Sequence, residues 1–383
     1  MIRNALPLFA IALLTACGGE AAAPEPQVDG SIVSDDGLRL VPIASELEFP
    51  WGIAALPSGE LLVTEREGRL RLIKDDSLVA APVRGLPGDI LVDGQGGLLG
   101  ITLDPAFADN RKLYLSYSKD MGETNTTAVV SATLSDDAMA LSDVTEIFKG
   151  EDRETSYHFG SRMVFLPDGS MIVTLGDGYR YMKDAQDTNL LHGKIARIMP
   201  DGSVPEDNPF TSGGGNPAVW SYGHRNVQGA VYHAATGTLF AHEHGPKGGD
   251  EINVIEPGNN YGWPTITYGI NYDGTVITNE TEAPGMEQPV VKWVPSIAPS
   301  GMAVVETAAF SDWSGDLLVG AMNGPKGQKL VRVDVNADGS LGETEDLLDD
   351  LQIPFRDVIS TPNAIYVATA DLDGIVYRLE KAE

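Results

Sequence analysis

The sequence predicts an all-β protein, specifically a six-bladed β-propeller, from three observations. Short runs of β-branched and aromatic residues are separated by Pro-Asp-Gly or Pro-Ser-Gly turns. Almost no segment shows the helical spacing of apolar residues. A turn followed by an alternating strand recurs six times at intervals of roughly 45 to 70 residues. Radial repetition of such units leaves few exposed sheet edges, whereas a sandwich would need fewer and more regular strands.

The recurring units follow one another along the whole chain after the N-terminal region. They occupy 56–65, 104–117, 166–175, 235–242, 313–320 and 361–369. A second strand follows closely in three places, at 68–73, 329–333 and 374–379. In a propeller, inner strands and loops converge on a central channel, so polar residues distant in sequence are expected to meet there.

The N-terminal region is predicted to be a lipoprotein signal. Arg3 precedes an apolar stretch, 5–14, which is too short to span a bilayer. The run Leu-Thr-Ala-Cys at 14–17 resembles a bacterial lipobox, and Cys17 is the only cysteine, so no disulfide can use it. The alternative is an ordinary secretory signal with a cysteine at its cleavage site.

The organisation that follows has three parts. Residues 1–16 are a signal peptide, 17–36 a small, acidic, proline-bearing tether that starts at lipidated Cys17, and 37–383 the propeller. Gly18, rather than aspartate, after the cysteine favours sorting to the outer membrane of a Gram-negative bacterium. We expect the domain to face the periplasm.

The charge balance excludes one class of partner. With 26 basic and 55 acidic residues the formal net charge is −29, and no basic stripe is present. Such a chain repels nucleic acid and anionic membrane surfaces, so nucleic acid binding is not expected.

The stretch 220–264 concentrates ionisable, amide and glycine residues as no other segment does. It contains the adjacent Arg225 and Asn226, two histidines around Glu243, and a glycine-rich run that ends in Asp250 and Glu251. Glycines let backbone carbonyls approach a ligand, and carboxylates and carbonyls are the ligands that Ca²⁺ takes. The alternative is an elaborate turn between strands.

Polar candidates for the central channel lie in loops next to inner strands. They are Gln95, His158, Asp177, Arg225, Asn226, Lys326 and Arg356. Three cations around one channel of so acidic a protein indicate an anionic ligand with several carboxylates. His158 can act as a general base, and Asp177 can orient it and raise its basicity.

At these residues the chain resembles the glucose/sorbosone dehydrogenase family of soluble pyrroloquinoline quinone (PQQ)-dependent sugar dehydrogenases. Nine runs match in order, over about 40–379. They are DGQGGL (93–98), HFGSR (158–162), LGD (175–177), GKIAR (193–197) with DGSVPEDNP (201–209), YGHRN (222–226), HGP (244–246) with DEIN (250–253), NYGWP (260–264), IAPS (297–300) and RDV (356–358). The family's six-bladed propeller agrees with the fold predicted from the repeats.

The resemblance implies an enzyme that oxidises aldose sugars at C1 to lactones. His158 corresponds to the base that removes the hydroxyl proton while hydride passes to the quinone, and Asp177 to the carboxylate that orients this base. Arg225 and Asn226 correspond to the pair that contacts the quinone, where the arginine stabilises developing negative charge. Further cofactor contacts correspond to Gln95, Tyr272, Lys326 and Arg356. An electron acceptor, not identifiable from the sequence, must reoxidise the cofactor.

The resemblance also implies two calcium sites. The carbonyls of Gly245 and Pro246 correspond to ligands of the calcium on the quinone. Glu251 and the backbone of Tyr261 correspond to a second, structural site. The remaining histidines are interpreted as structural or surface residues: His192, His224, His233, His242 and His244.

The chain departs from the glucose-specific pattern in four places. Tyr157 replaces an aspartate, Pro354 replaces the first of two clamping arginines, Val294 replaces an aromatic residue, and 324–325 form an insertion. These differences favour the broad aldose dehydrogenase branch. The alternatives are a catalytically silent propeller that binds carbohydrate or protein, and a calcium-dependent lactonase, against which the cationic channel argues.

Overall fold

The computed structural model of the protein describes residues 30–323 and 327–382, and these residues form six β-sheets. The predicted signal 1–16, Cys17 and the tether up to residue 29 lie outside the described residues, as does Lys326.

Twenty-five strands make up the sheets. In chain order they are β1 (Ile32–Val33), β2 (Leu38–Leu47), β3 (Pro50–Ala55), β4 (Leu61–Glu65), β5 (Arg69–Lys74), β6 (Ser77–Leu78), β7 (Leu98–Leu103), β8 (Lys112–Asp120), β9 (Asn125–Leu134), β10 (Leu141–Lys149), β11 (Met163–Phe165), β12 (Met171–Thr174), β13 (Lys194–Ile198), β14 (Val219–Tyr222), β15 (Val227–His233), β16 (Thr238–Glu243), β17 (Asp250–Val254), β18 (Val291–Trp293), β19 (Pro299–Val304), β20 (Leu317–Met322), β21 (Gln328–Val335), β22 (Leu341–Leu347), β23 (Phe355–Ser360), β24 (Ile365–Thr369) and β25 (Gly374–Lys381).

Each sheet is one blade of a six-bladed propeller, which confirms the predicted fold. Blades 1 to 5 are the antiparallel sheets β3–β6, β7–β10, β11–β14, β15–β18 and β19–β22, and blade 6 has the order β1-β2-β25-β24-β23. The first strands of adjacent blades, from β3 to β23 and back to β3, contact one another in a closed ring. The loops next to these strands therefore meet at the centre of the molecule.

Blade 6 closes the ring with strands from both ends of the domain. Strand β2 pairs with β25, for example Leu40 opposite Leu379, and β1 pairs with β2. This pairing joins sequence positions more than 300 residues apart and leaves no gap between the first and last blades. The strand Ile32–Val33 lies within the range 17–36 that the sequence assigned to the tether.

The recurring units are the second strands of the blades, each with the turn before it. In β4 all five residues are buried, although the sequence pattern suggested an alternating strand with one exposed face. Both faces are buried because a blade packs against a neighbour on each side.

Helices are few among the described residues. They are α1 (Phe107–Asn110) and the 3₁₀ helices Met182–Gln186 and Ala308–Trp313. In the described part of the chain, none reaches the length and hydrophobicity that crossing a bilayer requires.

Candidate active site

His158 and Asp177 form a buried pair at the end of blade 3. Nδ1 of His158 lies 2.6 Å from Oδ1 of Asp177. His158 precedes β11 and Asp177 follows β12, so adjacent antiparallel strands bring the two loops together. The structure therefore places these predicted residues in contact. Because Nδ1 is engaged by the carboxylate, the neutral imidazole carries its proton there and presents the Nε2 lone pair.

The backbone of His158 is held from three sides. Its N–H donates to Oε1 of Gln95 at 2.9 Å, and its carbonyl accepts from Nη1 of Arg153 at 2.8 Å. A Cβ atom at Gly176 would lie 1.9 Å from that carbonyl oxygen, so only glycine fits there. His158 itself has φ of 55°, an uncommon backbone conformation for a residue with a side chain. These contacts fix the loop that carries the imidazole.

Asp177 has further partners that keep it ionised. Oδ2 accepts from the indole Nε1 of Trp263 at 2.8 Å, and Oδ1 accepts from the N–H of Tyr179 at 2.7 Å. Burial alone would raise the pKa of Asp177, but hydrogen bonding and charge from His158, together with the Arg225 charge and the Tyr179 N–H, outweigh it and lower the pKa. Trp263 was not predicted as a site residue, although it lies in the NYGWP run.

The pKa of His158 is lowered from its ordinary value. Burial is the largest cause, the positive charge of Arg225 adds to it, and the hydrogen bond and charge of Asp177 oppose it. The imidazole is consequently neutral at neutral pH, which is the state a general base requires.

Arg225 lies beside this pair, in the segment that enters blade 4. Its backbone carbonyl accepts from the N–H of Asp177 at 2.8 Å, and its own N–H donates to Oε2 of Glu243 at 2.6 Å. The guanidinium donates from Nη1 to the carbonyls of His244, at 3.1 Å, and Gly245, at 2.8 Å. The Gly245 carbonyl, predicted as a calcium ligand, thus already accepts one hydrogen bond and retains its second lone pair.

A cavity of about 470 Å³ opens in front of His158. It is lined by Asp177, Arg225, Pro246 and Tyr272. Residues predicted to be catalytic, to bind the cofactor and to bind calcium therefore lie at one surface. The ring of Tyr179 lies edge-on to the His158 imidazole at a centroid distance of 5.3 Å.

A second cavity, of about 190 Å³, lies at the centre and is lined by residues from all six blades. We call it the central cavity. Its lining residues are Phe49, Pro50, Trp51, Arg66, Gln95, Leu99, Phe159, Gly160, Asn226, Gln228, His244, Met322, Arg356 and Ala370. Neither aspartate nor glutamate occurs among these described lining residues, although the chain is strongly acidic.

Three predicted cofactor contacts meet in the central cavity: Gln95, Asn226 and Arg356. Nη2 of Arg356 donates to Oε1 of Gln228 at 2.9 Å, whereas its buried Nε has no hydrogen-bond partner among the described residues. Asn226 Oδ1 accepts from the Gly160 N–H at 3.1 Å. Gln228 and Arg66 also line this cavity, although no sequence motif predicted them as site residues.

The histidines interpreted as structural mostly occupy such positions. His224 lies between Ser221 and Glu243, at 2.9 Å from each, and stacks on Tyr261. His244 differs because it lines the central cavity while its Nε2 lies 2.7 Å from the Pro299 carbonyl. Burial lowers the pKa of His244 to about 3, so it is neutral.

The predicted second calcium site coincides with a small cavity of about 20 Å³, room for one water or ion. Glu243, Glu251, Gly245 and Tyr261 line it. Burial, and next the charge of Glu243, raise the pKa of Glu251 to about 8. Nowhere in 30–323 or 327–382 do three or more histidine, cysteine or carboxylate side chains gather as a metal cluster, so backbone oxygens would have to complete any such site.

Known proteins resemble this chain over nearly all of the domain. The family model described as Glucose / Sorbosone dehydrogenase matches residues 47–378. Aldose sugar dehydrogenase YliI of Escherichia coli (strain K12) is 39% identical over 340 residues, which are 87% of this chain and 90% of that protein.

Two solved structures share the fold. The apo form of the soluble aldose sugar dehydrogenase from Escherichia coli superposes with a TM-score of 0.85 at 36% identity, covering 90% of this chain and 99% of that one. The PQQ-bound aldose sugar dehydrogenase from Streptomyces coelicolor superposes with a TM-score of 0.74 at 28% identity, covering 90% and 97%.

Proposed function

The chain belongs to the glucose/sorbosone dehydrogenase family, and from this premise we propose that it oxidises aldose sugars at C1 in a PQQ-dependent reaction. The observation that carries the proposal is the His158–Asp177 pair, which lies at the wall of a cavity that Arg225 also lines. A binding module has no need of a neutral, carboxylate-oriented base beside a cation.

The residues of the two cavities fit PQQ, a planar quinone with three carboxylates. The central cavity offers guanidinium groups and no carboxylate, and the buried Nε of Arg356 has no partner in the described part of the chain. An anionic ligand would supply the missing acceptor. The residues that would hold it are Gln95, Arg225, Asn226, Tyr272 and Arg356, with Lys326, outside the described residues, as a further candidate.

PQQ, when bound, supplies the two-electron acceptor for the hydride that leaves sugar C1. The protein supplies the proton chemistry. Nε2 of His158 takes the proton of the C1 hydroxyl, so that the hemiacetal becomes a lactone with loss of one proton and one hydride. Asp177 stabilises the imidazolium that forms, since its carboxylate is held ionised at 2.6 Å from Nδ1.

Calcium is part of the proposal. The carbonyls of Gly245 and Pro246 are the candidate ligands near the cofactor, and Glu251 with the Tyr261 backbone form the second candidate site. The second site is supported by the raised pKa of Glu251, because two buried carboxylates without a cation disfavour each other's ionised form. A bound divalent cation would offset the repulsion between the two ionised carboxylates and polarise groups near it.

The test is turnover by the purified protein, freed of metal and cofactor, with a panel of aldoses and an artificial electron acceptor. We expect turnover only after PQQ is added, and greater turnover with Ca²⁺. His158→Gln should lower kcat by about 10²- to 10⁴-fold while quinone absorbance stays on the protein, and His233→Gln serves as the control. Absence of both turnover and retained quinone would overturn the proposal and favour a silent binding propeller.

We also propose that Cys17 carries a lipid anchor and that the domain faces the periplasm from the outer membrane. The support is the 14–17 run together with the absence of any other cysteine in the chain. Labelled palmitate should be incorporated into the wild-type protein and not into Cys17→Ser. Equal labelling of both proteins would contradict the proposal.

A further inference from the structure

We propose that Arg66 is a second cofactor-binding cation, which holds a carboxylate of PQQ in the central cavity from the blade next to that of Arg356. This inference rests on the proposed function and adds a residue that neither the motifs nor the cavity in front of His158 contains. It assigns a ligand to a side chain for which the sequence offered no role.

The backbone of Arg66 is fixed at the wall of the central cavity. It follows β4, its N–H donates to the Phe49 carbonyl at 3.0 Å, and its own carbonyl accepts from Leu98 at 3.3 Å. A Cβ atom at Gly97 would lie 1.8 Å from that carbonyl oxygen, so blade 2 is packed directly against it. The guanidinium lies over the Phe49 ring, 4.2 Å from its centre.

The charge of Arg66 is poorly compensated compared with its neighbours. Glu65 forms ion pairs with Arg69 at 2.5 Å and Arg71 at 3.3 Å. Arg66 has only Glu67, at 3.9 Å, and its guanidinium makes no hydrogen bond with another described residue. Blade 1 therefore holds two arginines in ion pairs and leaves a third facing the cavity.

Arg66 and Arg356 line the same cavity from adjacent blades, and the charge of Arg66 acts on Arg356. Burial, next the charge of Arg162, and to a smaller extent the charge of Arg66 lower the pKa of Arg356 to about 9, against the opposing charge of Asp357. The two positive charges repel each other, since no carboxylate lines the cavity to compensate them. A polyanion bound between them would attract both guanidinium groups and offset that repulsion.

The neighbouring wall, formed by blade 6, contributes Arg356 and the uncharged Ala370. Ala370 lines the cavity next to Arg66 and Phe49, and its N–H donates to the carbonyl of Pro354 at 2.8 Å. Proline and alanine carry no charge, so among the described lining residues Arg66 and Arg356 are the two arginines, from adjacent blades 1 and 6. A purely structural role, stacking on Phe49, is the competing explanation.

The experiment measures PQQ affinity directly, with Ca²⁺ present, by quenching of tryptophan fluorescence in the full-length protein. Trp51 lines the same cavity and serves as an intrinsic reporter. Arg66→Gln should weaken PQQ binding about ten- to a hundredfold, because a charge-assisted hydrogen bond is lost, and should reduce the salt dependence of Kd. Lys74→Gln, an exposed change of equal charge in the same blade, should leave Kd within about twofold.

Thermal unfolding separates the two explanations. A structural role predicts a lower Tm for Arg66→Gln with unchanged Kd, and that result would overturn the inference. If Arg66→Gln does not fold, Arg66→Met keeps an unbranched side chain and removes the charge, and an unchanged Kd and salt dependence for Arg66→Met would count equally against the proposal. Failure of the wild-type protein to bind PQQ would instead remove the proposed function itself.

Discussion

The indole of Trp263 donates its hydrogen bond to Asp177, with Nε1 2.8 Å from Oδ2. The two residues are 86 positions apart, and the bond ties the loop after β17 to the carboxylate that orients His158. Trp263 also lies beneath the Arg225 guanidinium, at 5.5 Å from ring centre to Cζ. One side chain therefore positions both the carboxylate and the cation of the site.

Trp263→Phe should keep the ring and remove the donor to Asp177. We expect kcat for aldose oxidation to fall about tenfold, because Asp177 loses one of the bonds that fix its orientation, while PQQ affinity changes little. Trp220→Phe is the matched control, since the buried Nε1 of Trp220 has no partner among the described residues. Equal kcat in both variants would show that the bond is not needed.

The activity should decline on the acid side of neutrality through the titration of His158. Its pKa is lowered, so it is neutral at pH 7 and gains its proton only as the pH falls below the usual range for histidine. The profile of kcat/KM against pH should therefore have an acid limb below pH ~6.5.

Asp177→Asn should shift that acid limb to lower pH. The carboxylate raises the pKa of His158 through its hydrogen bond and charge, and the amide removes both contributions. We expect kcat to fall about a hundredfold or more, since the imidazole tautomer is no longer fixed. Asp184→Asn, which faces His192 at 3.1 Å, is the control for loss of a histidine–carboxylate pair elsewhere. If the acid limb of Asp177→Asn lay at the same pH as that of the wild-type protein, a group other than His158 would be responsible for the observed titration.

Calcium should stabilise the protein more at pH 8 than at pH 5. The pKa of Glu251 is raised from 4.5 to about 8, so its stabilising protonated form is fully present below pH 4.5 and is lost as the pH rises through 8. A divalent cation beside the ionised carboxylates offsets this loss of stability. The measurement is Tm at pH 5 and at pH 8, with Ca²⁺ and with a chelator.

Glu251→Gln should raise the stability of the calcium-free protein at pH 8 by about 1–3 kcal/mol and abolish the calcium-dependent rise in Tm. Glu282→Gln changes an exposed carboxylate and should do neither. A calcium response retained by Glu251→Gln would place the cation elsewhere.

Gly176→Ala should displace the loop that carries His158. The added methyl group would lie 1.9 Å from the His158 carbonyl, so we expect a loss of about 1–3 kcal/mol in stability and a lower kcat. Gly88→Ala adds the same group where no atom lies within 4 Å. Unfolding by denaturant and steady-state kinetics on both variants provide the comparison, and a fully active Gly176→Ala would show that the loop tolerates the shift.

The site was largely predictable from the residues because its chemistry is local in sequence. His158, Asp177 and Arg225 stand in runs that match a known family, and the structure brings them to one cavity wall. Trp263 and Gln228 were missed because an indole and an amide in a glycine-rich or strand segment carry no signal of their own. Arg66 was missed because it follows a repeat unit where a surface arginine is ordinary.

By itself the sequence determined the class of fold and the number of blades, since turn residues and strand runs are local features repeated along the chain. Only the tertiary structure decided how the ring closes, through β2 and β25, because strand pairing across more than 300 residues depends on the summed geometry of every blade between them. It also decided which arginines face the central cavity and which are held in ion pairs. That division depends on which carboxylate lies within reach, as Glu65 lies near Arg69 and Arg71 but leaves Arg66 to the cavity.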